Sequence, residues 1–230
     1  MIRSLFMSFV CFCSVACGEE WTSHSLTVGG KTVTIDLPGG WLPADIGKPE
    51  AWMKDEAGVA GVPFAGAYCS TDHLSYVTVR GISPSDFPTS PDFADKRSPG
   101  VFFAEMLSSF RQNSGGGGEQ DVLILDAIER AWSNAGLAKA RKDADRHITR
   151  TLPLAVFDES KSHFSRLGLL VVTTGNGTPK DSWLVVTTMT WVLVKDRLLA
   201  ICFYQPFEGK HTYDELRTLA KESVVRLNGE

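Results

Sequence analysis

The chain has 230 residues, 43% of them apolar and 22% charged, which is enough length to bury a core and too polar a balance for a multi-span membrane protein. That apolar share also excludes a disordered chain, and 21 glycines are far too few for a collagen-like fibre. Lysine plus arginine total 23 against 27 acids, for a formal charge of −4 and a pI near 5.8, so no overall positive field exists to attract nucleic acid.

Met1 to Ala16 has the three parts of a secretory signal. Arg3 supplies the positive start, and Leu5 to Cys13 is an uncharged apolar run. Ser14-Val15-Ala16 then puts small residues at the −3 and −1 places of a cut before Cys17. A cut after Gly18, using Ala16 and Gly18, obeys the same rule. The apolar run is too short to span a hydrocarbon core of about 30 Å comfortably. A small residue before a cysteine at the end of such a run resembles the bacterial lipobox, which makes Cys17 the candidate for acylation, although Ser14 stands where that motif usually has leucine. The expectation is an exported chain, periplasmic, secreted or lipid-anchored at the envelope, with residues 17–230 folding as a single α+β domain. Any membrane anchoring would run through Cys17 only.

Behind the leader, Ser25 to Val28 and Lys31 to Leu37 are β-rich runs separated by Gly29-Gly30, which predicts a tight hairpin. Pro38-Gly39-Gly40 ends the second run and Trp41 follows. Ala57 to Ala67 is small and apolar and gives no clear period. His73 to Ile82 predicts a strand with Tyr76, Thr78 and Arg80 on one parity and Val77 and Val79 on the other. A Pro-rich excursion at 83–100 carries Pro84, Pro88, Pro91 and Pro99. Ser98 and Pro99 then start a helix whose stripe is Phe103, Met106, Leu107 and Phe110. The Gly-rich stretch at 114–118 is read as a linker, because a phosphate loop needs a lysine and a hydroxyl where Glu119-Gln120 stand. A second helix is predicted over Asp121 to Ala135. Lys139 to Arg150 is a basic run interrupted by Asp143 and Asp145, read as a solvated face.

Leu152–Phe157, Phe164–Thr174, Ser182–Val194 and Leu198–Phe207 are four β-rich runs joined by short polar segments, which predicts an antiparallel meander. Between Ser182 and Val194 apolar residues occur on both parities, so that strand should be covered on both faces. A closing helix follows, with Thr212 and Glu215 at capping-box spacing and Leu216, Leu219, Ala220, Val224 and Leu227 as its stripe; Ser223 interrupts the stripe with a small polar group. A helix packed on a meander gives an α+β, α/β/α sandwich-like layering.

The run Val33-Thr34-Ile35-Asp36-Leu37-Pro38-Gly39-Gly40-Trp41, with Ala200 to Tyr204 as a strand before the closing helix from Tyr213 to Leu227, resembles the PsbP/DcrB-like families of α/β/α sandwich proteins. The resemblance implies a non-catalytic accessory, assembly or binding protein, often an exported one. It implies no site residues.

The residues offer little chemistry. Cys69-Ser70-Thr71-Asp72-His73 places a thiol, hydroxyls, an acid and an imidazole together, so Cys69, Asp72 and His73 are the catalytic candidates, set against a structural cysteine beside a polar turn. GxSxG is absent. His24, His73, His147, His163 and His211 are scattered without ligand spacing, and no metal or cofactor is expected. Once the leader is cut, Cys69 and Cys202 remain as the disulfide candidates, with two separate buried thiols as the alternative. A bridge closing so long a loop would stabilise by about 4 kcal/mol in the chain-entropy model. Asn176-Gly177-Thr178 is an acceptor sequon better explained as a hairpin turn. Trp21 and Trp52 could stack on a carbohydrate or peptide, but core packing is the leading reading of the aromatics. The leading function is an exported, non-enzymatic accessory or binding protein whose partner is an envelope protein or membrane-associated component. An envelope hydrolase and a small-ligand carrier are the alternatives.

Overall fold

The computed structural model describes residues 20–44, 64–71, 74–82, 99–113, 146–174, 182–195 and 197–228, with 123, 126–128 and 130. In chain order the elements are β1 (Trp21–Val28), β2 (Lys31–Pro38), β3 (Leu42–Pro43), β4 (Phe64–Cys69), β5 (Tyr76–Ile82) and α1 (Pro99–Asn113). They continue with β6 (Arg146–Glu159), β7 (His163–Thr174), β8 (Ser182–Val194), β9 (Arg197–Pro206) and α2 (His211–Asn228). No helix among the described residues is long and apolar enough to cross a membrane.

β1 and β2 form the expected hairpin, with Val28 opposite Lys31 and Trp21 opposite Pro38. Its two-residue turn needs left-handed backbone at both positions, and Gly29 (φ +53°) and Gly30 (φ +76°) supply it. The other strands make one seven-stranded sheet in the order β3-β4-β5-β9-β8-β7-β6, antiparallel at every step. The predicted meander is therefore present as β6 to β9.

The double parity of β8 has the predicted cause. Its even-numbered residues Leu184, Val186, Val192 and Val194 join Val77, Val79, Leu199, Ile201 and Phe203 on one face. The hairpin (Val33, Ile35, Leu37) and α2 (Tyr213, Leu216, Ala220) close that face. The odd-numbered Trp183 and Val185 look the other way, with Tyr76, Leu170, Cys202 and Tyr204. There α1 lays Phe103 and Leu107 over Phe164, Trp191, Leu198 and Ala200. One helix on each side of a sheet is the α/β/α layering expected of this α+β chain.

Two glycines let the hairpin reach the sheet. A Cβ on Gly66 would lie 2.7 Å from a Leu26 methyl, and one on Gly81 would overlap Val28. The Arg197 guanidinium donates to the Gly29 carbonyl at 3.2 Å and holds the tip of the hairpin down. At the opposite margin of the sheet β6 is outermost. It contains Pro153, which has no amide proton, and its pairing with β7 shifts register three times.

Several expectations are corrected. β4 is a strand that begins inside the Ala57 to Ala67 stretch, which gave no period. β6 starts at Arg146, earlier than the Leu152 expected, and Arg146 is only 5% exposed. It donates to the Tyr76 phenol at 3.0 Å, so this member of the basic run is a buried hydrogen-bonded group, while Arg150 at the end of the run is exposed. The capping box does not form, because the helix begins at His211 and the Thr212 hydroxyl instead accepts from the Glu208 amide at 3.1 Å. Cys69 and Cys202 are buried as thiols, the alternative to the candidate bridge. They sit on β4 and β9 with β5 between them, and two strand spacings of about 4.8 Å exceed the Cα separation a disulfide spans. Trp21 carries the Arg226 guanidinium 4.2 Å from its ring centre.

The Met1–Ala16 leader and Cys17 lie outside the described residues, as do Trp52, 83–98, 114–118, 139–145 and the Asn176 sequon. Of the helix predicted over Asp121 to Ala135, positions 123, 126–128 and 130 are described and helical.

Candidate functional site

Cys69 ends β4 and is buried at 4% exposure among Leu74, Tyr76 and Cys202. The turn after it is closed by Ser70 and Ser75, whose backbones bond at 2.9 Å while the Ser75 amide donates to the Ser70 hydroxyl at 3.0 Å. Asp72 and His73 lie outside the described residues, so Cys69 is the one member of that trio the structure places, and it faces the core.

A different cluster, missed in the sequence, has the connectivity of a catalytic relay. In the β6–β7 turn His163 Nδ1 lies 2.8 Å from Ser160 Oγ, and its Nε2 lies 3.1 Å from Asp158 Oδ2. The Ser160 oxygen also accepts from the Ser162 amide at 3.1 Å and the His163 amide at 3.2 Å. A hydroxyl has one proton and two lone pairs. Both lone pairs take amides, and the one proton is within reach of the imidazole at 2.8 Å and of the Ser162 hydroxyl at 3.3 Å. No lone pair is left to attack a substrate. The group is a turn lock built like a relay.

Among the described residues a groove of about 590 Å³ lies beside α2. β2 ends at Pro38, and Gly39 fits there because a Cβ would lie 2.9 Å from the Glu20 carbonyl. Gly40, at φ +87°, turns the chain and delivers Trp41 to one wall of the groove. Trp41 and Leu219 are half-buried and pack on the core below. The facing wall is the outer side of α2, where Asp214, Thr218 and Glu222 recur every fourth residue with Glu215 beside them. Gln205, near the end of β9, completes the lining and donates to Glu215 at 3.4 Å.

The electrostatics are one-sided. Among the described residues three carboxylates line the groove and no lysine, arginine or histidine does. Asp214 meets Arg217 at 3.8 Å, an exposed pair of little strength. Glu222 has no ion-pair partner among the described residues, and Arg226 one turn further on is directed at Trp21 instead.

Elsewhere the Lys210 ammonium, hydrogen-bonded to Asp126, holds that carboxyl below its ordinary range, and burial pushes the Tyr68 phenol up. Among the described residues no group of three His, Cys, Asp or Glu side chains is placed to hold a metal ion.

No family model and no curated protein matches the chain. Among solved structures it is similar to the Saccharomyces cerevisiae Ran-binding protein Mog1p, at 11% identity and a TM-score of 0.36 over 90% of this chain and 94% of that one. It is also similar to PsbP (CyanoP) of Synechocystis sp. PCC 6803, at 12% identity and a TM-score of 0.34 over 92% and 93%. At such identity and score neither protein's role carries over to this chain.

Proposed function

We propose that the chain is an exported, non-enzymatic accessory protein of the cell envelope that docks another envelope component in the groove between α2 and Trp41. The observation that carries this reading is the groove itself, with an aromatic wall, an acidic wall and a volume of about 590 Å³. Clefts that bind ligands occupy about 300–1,000 Å³ and combine apolar lining with a few placed polar groups. The leader at Met1–Ala16 supports export.

A photo-crosslinking side chain at Thr218, with a control at Leu152 on the outermost strand, tests the docking in cells that make the protein. A discrete adduct from position 218 alone is expected. Equal adducts from both positions, or none, would overturn the reading. Export is tested by intact mass: a chain starting at residue 17, with or without acyl mass, is expected, and one that still starts at Met1 would end that part of the proposal.

An envelope hydrolase is the second reading, since Asp158, His163 and Ser160 join an acid, an imidazole and a hydroxyl, although these same bonds lock the turn. Labelling of Ser160 by a fluorophosphonate probe would put it first.

A further inference from the structure

We infer that the groove beside α2 receives an extended, cationic segment of a protein partner, with an arginine or lysine side chain lying against the Trp41 indole and directed at the Asp214 and Glu222 carboxylates. This deepens the docking proposal and rests on it.

Charge complementarity chooses the occupant. Among the described residues no basic side chain lines the groove, and Arg217, a cation near its wall, stands 3.8 Å from Asp214. An anion would meet repulsion from three carboxylates, and a neutral apolar ligand would leave them desolvated and unpaired. A cation gains from both walls, because the face of an indole attracts positive charge. The molecule already uses this contact one turn along α2, where Arg226 lies 4.2 Å from the Trp21 ring centre.

Geometry favours a peptide segment over a free polyamine. Asp214 and Glu222 are eight helical residues apart, about 12 Å at ~1.5 Å per residue. In an extended chain, residues four apart project to the same side and are separated by about 13 Å. Two cationic side chains at that spacing would reach both carboxylates. Between them Thr218 also lines the groove and offers a hydroxyl to main-chain groups, which a polyamine does not have.

The test uses the purified full-length protein and a fluorescein-labelled peptide, Gly-Arg-Ser-Ala-Ser-Arg-Gly, followed by anisotropy. Saturable one-to-one binding is expected at low salt, weakening as salt is raised. The double variant D214N/E222Q should weaken it about tenfold and W41F about threefold, since tryptophan is the strongest cation–π partner. Asp214 and Glu222 are exposed, so their variants test the groove without threatening the fold. Unchanged affinity in both variants would overturn the inference. So would equal binding of the Glu-substituted peptide, or displacement by spermidine at equal concentration. Absence of peptide binding with the Thr218 adduct intact would remove the cationic occupant and leave the docking site. Loss of the adduct alongside peptide binding would remove the envelope partner instead.

Discussion

The Ser160 hydroxyl binds two amides and one imidazole at once, and its replacement separates two readings of the same geometry. Ser160→Ala should cost about 1 kcal/mol, the usual scale for a side-chain cap that satisfies backbone amides. Urea unfolding would register this as a lower midpoint at unchanged slope, and native wild-type protein should take up no fluorophosphonate. This cluster was hard to read in advance because serine, lysine and histidine in a turn are ordinary turn composition. The signal was a serine with amides two and three residues on, a pattern that reports a turn and says nothing of the histidine's rotamer. Thr212 and Glu215 show the opposite error. Their spacing fits a capping box, yet Glu215 is hydrogen-bonded to Gln205 and Thr212 to the loop before the helix.

Among the elements, the hairpin and the last four strands were legible because local chemistry alone specifies them: Gly-Gly at a turn, alternation, and β-branched runs. β4 was not legible, since Ala65-Gly66-Ala67 is small for a tertiary reason, namely that the hairpin lies on it. Gly66 faces Leu26 and Gly81 faces Val28. Gly81→Ala should therefore destabilise by about 1–3 kcal/mol through overpacking. Pairing it with Val28→Ala should recover part of that loss, so the double mutant costs less than the sum of the singles. Additive costs in denaturation would show that the close approach is not what requires glycine. The groove was equally invisible, because Trp41 and α2 lie at opposite ends of the chain and come together only through packing.

In the molecule as a whole, a sheet covered on both faces isolates its interior from solvent reagents. Cys69 and Cys202 are buried in that interior. Native protein should leave both thiols unmodified by a water-soluble thiol reagent, and denaturation without reductant should release two titratable groups. Recovery of none would show them oxidised to each other after all. The same sheet has one long flank with no helix laid along it in the described structure, β6, where Leu152 is 40% exposed. Pro153 and three register breaks interrupt its hydrogen-bonding rim, and interruptions of that kind keep neighbouring copies from zipping together into amyloid-like ladders. Crowded copies of this chain can thus keep an open margin without sticking to one another, and a straighter rim lacking that proline would forfeit the protection.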